Sequence, residues 1–121
     1  MTITPLDTCG LVVLQGARYR AVRRCGDPLV QALMENYRIW LNDLQRNPDE
    51  FEQKSSVLFD TVAVYLAFAQ DLLVMEDLGL RVSDDGYTLI DGHAKRVHVA
   101  TAWKDLDGFE EFLVRRLTGH P

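Results

Sequence analysis

Between Val57 and Ala69 the chain reads Val57-Leu58-Phe59-Asp60-Thr61-Val62-Ala63-Val64-Tyr65-Leu66-Ala67-Phe68-Ala69, an apolar run interrupted only by Asp60 and Thr61. A helix over this run, expected from about Val57 to Gln70, is apolar nearly all round, the pattern of a helix covered on most of its sides. A chain of 121 residues has body for one modest core. The mismatch predicts that a partner or a further segment covers this helix. Asp60 adds a second constraint. An ionised carboxylate beside so much apolar surface needs a helix N-terminus, a hydrogen-bond partner or a metal, because burying it unpaired costs roughly several kcal/mol.

Composition narrows the classes. The 47% hydrophobic content is that of an ordinary globular domain, and the net charge of −5 argues against a nucleic-acid surface. Arg18, Arg20, Arg23 and Arg24 cluster, and the last three share a helical face; charge at such spacing is expected on a solvated surface. Cys9 and Cys25 are too few and too far apart for a disulfide framework or a CxxC redox site, which favours a reducing compartment and small core roles. The start, Met1-Thr2-Ile3-Thr4-Pro5-Leu6-Asp7, has neither the basic nor the apolar region of a signal peptide, and no stretch reaches eighteen consecutive apolar residues. A cytoplasmic location is expected, with no membrane and no nucleic acid among the partners.

The local signals lay out an order of elements. The first fifteen residues, up to Gln15, are expected extended, with Leu11-Val12-Val13-Leu14 as a short β-prone run. A short helix from Gly16 to Cys25 precedes Gly26-Asp27-Pro28, where Asp27 is placed to cap and Pro28 to open a long helix reaching about Arg46. Its apolar positions Val30, Leu33, Met34, Tyr37, Trp40, Leu41 and Leu44 recur every three or four residues and predict one buried face. Asn47-Pro48-Asp49 ends it, a polar connector carries Phe51, and Ser55 or Ser56 is placed to cap the apolar helix. The period then changes to two. Leu78, Leu80 and Val82, a turn at Asp84-Asp85-Gly86, and Tyr87-Thr88-Leu89-Ile90 predict a hairpin, and Val97, Val99 and Thr101 a third strand. A last helix starts near Asp107, with Glu110 completing a capping box and Phe109, Phe112, Leu113 and Leu117 facing inward.

Residues with chemistry are few. His93 and His98 lack the third and fourth ligands that zinc requires. Asp84-Asp85-Gly86 lacks the following oxygen ligands of a calcium loop, and Asp105 and Asp107 read as helix-start residues. Phosphate loops, nucleophile elbows and Cys/His pairs do not occur. Asp60 stands out, but calcium takes about six to eight oxygen ligands and one carboxylate is only a contributor.

Five segments in order, Pro5-Leu6-Asp7-Thr8, Phe59-Asp60-Thr61-Val62-Ala63-Val64, Gly86-Tyr87-Thr88-Leu89-Ile90-Asp91, Val97-His98-Val99-Ala100 and Phe109 to Leu117, resemble the C-terminal portion of the inosine-uridine-preferring nucleoside hydrolases. The resemblance covers almost the whole chain. It implies an α/β fold (α+β as an isolated piece), with residues 1–121 as a single partial domain: one core-sheet strand, core helices, a small antiparallel appendage and a C-terminal helix. It implies cleavage of the N-glycosidic bond of ribonucleosides with a Ca2+ cofactor, Asp60 being one metal ligand. The family's acidic D-x-D-x-x-x-D-D motif and ribose-gripping middle segment have no counterpart here, so the chain alone is expected inactive, its partner being the missing N-terminal part or a homo-oligomer. Many members carry His before this Asp to protonate the leaving base; Phe59 stands there and can only pack or stack. Tyr37 is a further candidate for the base pocket, with a core aromatic as its plainer reading. The alternative is a stand-alone α+β interaction or oligomerisation module without catalysis.

Overall fold

The computed structural model describes residues 1–119. Its elements run β1 (Thr2–Ile3), α1 (Leu6–Cys9), α2 (Gly16–Arg23), α3 (Pro28–Asp43), α4 (Glu50–Gln53), α5 (Phe59–Leu66), β2 (Leu73–Val82), β3 (Thr88–Ile90), β4 (Arg96–Trp103) and α6 (Leu106–Leu117). The chain is a mixed α/β protein, and its elements gather into two compact units: Met1–Leu11 with Phe59–Asp105, and Val12–Leu58 with the segment from Leu106 onward.

The first unit is built on a four-stranded sheet in the order β1-β4-β2-β3. β2 and β3 form the expected hairpin, closed by Gly86 at φ 90 and by the Ser83 N–H donating to the Tyr87 carbonyl at 2.9 Å. β4 lies antiparallel to β2, with an irregularity between Val74 and Met75, and buries Val97, Val99 and Ala100. β1 joins parallel to β4, pairing Thr2 with His98 and Ile3 with Val99. The segment after β1 is helical where the sequence predicts an extended chain. The Pro5 carbonyl accepts from the Thr8 and Cys9 N–H groups, both at 3.0 Å, and the Trp103 indole N–H donates to the Thr8 carbonyl at 2.8 Å. A proline immediately before the first helical residue cannot lie in a strand interior but leaves its carbonyl free to start a turn.

The second unit is helical, with a core of Leu14, Tyr19, Val22, Val30, Met34 and Val114. Leu11-Val12-Val13-Leu14 forms no strand. Val12 and Leu14 are buried singly, their carbonyls accepting from the N–H groups of Leu58 and Ser55, both at 2.9 Å, and the Leu14 N–H donates to Ser55 Oγ at 3.0 Å. β-branched propensity without a neighbouring strand leaves irregular backbone pairing. Ser55 is therefore a tie to this segment, and its hydroxyl donates to the Ser56 carbonyl at 2.6 Å.

α3 starts as its sequence dictates: the Asp27 carboxylate accepts from the Leu29 N–H at 2.8 Å and the Val30 N–H at 3.4 Å, with Pro28 in the first turn. Its buried face holds Val30, Met34 and Leu41, but Leu33, Trp40 and Leu44 are 49%, 45% and 49% exposed, so the apolar surface is wider than the core it serves. The predicted connector carries the short α4. The arginine cluster is only partly solvated. Arg18 Nη1 reaches Asp107 at 2.6 Å and Glu110 at 3.1 Å, and its Nε reaches Glu111 at 3.4 Å, linking α2 to α6. Arg23 pairs with Glu52 at 2.7 Å and lies over the Phe51 ring at 5.1 Å. α6 begins one residue before Asp107, and Asp107 and Glu110 spend their carboxylates on Arg18 where the sequence predicts a capping box.

Two outcomes follow. At Gly79 in β2 an added Cβ would fall 2.1 Å from the Asp91 carbonyl oxygen and 3.2 Å from that of Ala94, so Gly79→Ala is expected to cost about 2–3 kcal/mol in urea unfolding. Arg18 lowers the Asp107 carboxyl below its ordinary 3.8, first through their hydrogen bond. A depressed carboxylate contributes stability above its unfolded value and loses it as pH falls through the folded one. Arg18→Met should therefore lower the thermal midpoint by roughly 3–6 °C at neutral pH, with the gap to wild type narrowing on acidification below 3.8.

Candidate functional site

α5 carries the residue singled out by the sequence. Val62 and Tyr65, three residues apart on the 3.6 period, are 0% and 4% exposed and anchor the helix in the first unit, where it packs against α1 and β1. The other side is open. Within α5, Asp60 and Val64, four residues apart, point outward with Ala63 beside them, and Ala67 and Phe68, just beyond the helix, are exposed as well; Val64 and Phe68 are 64% and 61% accessible. Phe59 is 40% exposed and its ring lies beside Gly10, while Leu6 and Leu11, flanking that turn, are 71% and 57% exposed. The apolar helix thus has one buried face and one bare one.

The helix ends earlier than its hydropathy predicts. Beyond Leu66 the chain tightens, the Phe68 and Ala69 N–H groups both donating to the Tyr65 carbonyl at 3.1 and 2.9 Å. The Tyr65 hydroxyl donates to Asp71 Oδ1 at 2.7 Å and its ring meets Phe68 edge-on at 5.5 Å. Burial, reinforced by the Asp71 bond, pushes the Tyr65 phenol up to about 12. The same hydrogen bond lowers the Asp71 carboxyl. This lock ties the end of α5 to the approach of β2.

Asp60 lies in the first turn of α5 and is exposed. The burial penalty anticipated from its apolar neighbours does not arise, and the positive end of the helix suits its charge. Phe59 and Asp60 are brought together at the head of the bare face. Tyr37 belongs to the other unit. There its hydroxyl donates to the Lys54 carbonyl at 3.2 Å, its ring stacks on Trp40 at 6.1 Å and meets Phe51 at 5.8 Å, and burial raises its phenol above the ordinary value. That is the core role of an aromatic on a helical stripe.

On the sheet, His98 Nδ1 lies 2.8 Å from Asp77 Oδ1 and Nε2 lies 3.2 Å from Gln70 Oε1, so both ring nitrogens are engaged. His93 is held through its backbone, its N–H donating to Asp91 Oδ1 at 2.9 Å. Among the described residues no group of three or more His, Cys, Asp or Glu side chains is arranged to hold a metal ion, and no helix is long and apolar enough to cross a membrane. Sequence reasoning placed Phe59 and Asp60 at the start of the helix but did not separate its bare face from its buried one. The i, i+4 spacing of Asp60 and Val64 carries that information.

Searches against models of known protein families and against curated proteins find no match.

Because Val64 points outward, Val64→Lys is expected to leave the unfolding free energy within about 0.5 kcal/mol of wild type. It should also reduce the emission of a hydrophobic dye such as ANS bound to the native protein. A large loss of stability would place Val64 inside a core.

Proposed function

We propose that the chain is the C-terminal part of a nucleoside hydrolase domain, which cleaves the N-glycosidic bond of ribonucleosides to ribose and free base, and that it has no such activity alone. The observation that carries this reading is an exposed carboxylate, Asp60, at the head of a bare apolar helix face. Such a face calls for another segment to cover it, and the covering segment would bring its own polar groups to the rim where Asp60 stands. The resemblance of Pro5-Leu6-Asp7-Thr8, the run from Phe59 to Val64 and the C-terminal segments supports the same conclusion.

A calcium ion requires about six to eight oxygen ligands. The described residues offer it no cluster of three acidic or imidazole groups. The chain by itself does not fit the ion. Asp60 is one ligand in this reading, and the remaining carboxylates and the general base belong to the complementary segment. Phe59, 40% exposed beside Asp60, offers an aromatic face for a nucleobase but no proton for the leaving group. Protonation of the departing base falls to a residue outside this chain. The two free cysteines, Cys9 and Cys25, accord with a reducing cytoplasm. A second reading, an α+β interaction module without catalysis, rests on the same bare face and differs in needing no carboxylate at Asp60.

Calorimetric titration with Ca2+ and ribose release from inosine and uridine separate the two. Alone, the chain should show neither binding nor turnover; mixed with an N-terminal segment carrying the acidic D-x-D-x-x-x-D-D motif, it should show both. In that mixture Asp60→Asn is expected to lower kcat/KM by about 100-fold or more, through loss of a metal ligand. Full activity of the Asn variant would remove Asp60 from the metal site. Absence of turnover in every mixture, with stable folding and self-association, would leave the interaction module.

A further inference from the structure

The second unit carries an unpartnered surface of its own, on α3. Beside its buried face the helix exposes Leu29, Leu33, Ile39 and Trp40, followed by Leu44 at its end, with fractional exposures of 79%, 49%, 51%, 45% and 49%. Leu29, Leu33, Trp40 and Leu44 are separated by four, seven and four residues, a spacing that reads the same in both directions, with Asn36 near its centre. A two-fold axis across the middle of the helix therefore sets Leu29 against Leu44 of a second copy, and Leu33 against Trp40. Self-complementarity of this kind is what an isologous interface requires.

The flanks distinguish the two ends of the row. At its N-terminal end Leu29, Leu33 and Asn36 line a groove of about 480 Å³ together with Arg116 and Leu117 of α6. At its C-terminal end stands Asp43, exposed in the last turn of α3. Antiparallel pairing carries Asp43 of one copy to the end where the other copy holds Arg116. It also sets the positive end of each helix beside the negative end of its neighbour. At roughly 200 Å² for a fully exposed large side chain, the exposures of Leu29, Leu33, Trp40 and Leu44 amount to about 440 Å² per copy. The pair would bury about 900 Å², the size of a weak, reversible interface.

We propose that two copies of this chain associate through an antiparallel, two-fold pairing of α3, in which Trp40 and Leu44 of each copy seat in the groove lined by Leu29, Leu33 and Arg116 of the other and Asp43 faces Arg116. The pairing does not rest on the nucleoside hydrolase reading. Asn36, polar and near the axis, fixes the register as a single polar residue in an apolar helix seam does.

Sedimentation equilibrium of the full chain at low salt tests the pairing. Wild type should sediment as a dimer. Leu29→Glu, at the most exposed position of the row, should weaken association by about tenfold or more, since it sets a charge against an apolar contact. Asp43→Arg and Arg116→Asp should each weaken it, and the double variant Asp43→Arg/Arg116→Asp should restore it; circular dichroism checks that each is folded. Val64→Lys, on α5, should leave association unchanged. A monomer at every concentration would overturn the proposal. So would a dimer insensitive to Leu29→Glu, one dissociated by Val64→Lys instead, or failure of the charge exchange to restore pairing.

Discussion

Anchorage of α5 through only two buried side chains, Val62 and Tyr65, is the constraint on which the functional reading depends. Eight residues of strongly apolar sequence would normally be enclosed, and here one face packs while the other stays in water. Hydrophobic burial contributes about 25 cal/mol per Å² of apolar area, and the exposed Val64 and Phe68 forgo that contribution. The Tyr65 to Asp71 hydrogen bond keeps the end of that helix in place without cover on its outer side. Asp60 is held at the other end, exposed in the first turn, where its charge stays hydrated.

α3 shows the same economy in a different form. Its inner face closes the helical core through Val30, Met34 and Leu41, and the adjacent row remains apolar although the core has no use for it. The two helices differ in what their open faces favour. α5 presents a carboxylate at the head of an apolar row, suited to a dissimilar partner that brings other polar groups. α3 presents a palindromic row with opposite charges near its ends, suited to its own image.

Legibility followed the range of the interactions. The α3 start was readable because Asp27 and Pro28 act within three residues, and the hairpin because Asp84-Asp85-Gly86 between alternating apolar residues admits few other conformations. The change of period near Leu78 marked where helices give way to strands, while the α/β class was what the resemblance implied. What was lost depended on distant residues. Leu11-Val12-Val13-Leu14 has strand propensity, yet it meets Ser55 and Leu58 singly and no strand lies beside it. Asp107 has the spacing of a cap, but Arg18, far away in sequence, takes its carboxylate. At the candidate site, Phe59 and Asp60 were legible as neighbours at a helix start. The exposure of Asp60 was not, because hydropathy reports how apolar a helix is without saying which of its sides finds a neighbour. Tyr37, whose plainer reading is a core aromatic, donates its hydroxyl to the Lys54 carbonyl.

The parallel pairing of β1 with β4 joins Thr2 to His98 and Ile3 to Val99, residues separated by most of the chain. Loop closure on that scale is slow and comes after local pairing. On the ribosome, where the chain emerges N-terminus first, the first strand has no partner until β4 has left the exit tunnel. Through that interval the hairpin of β2 and β3 can form unaided, while the opening residues wait for the edge of β4. β1 thus joins the sheet only once a strand made much later, β4, is available to it.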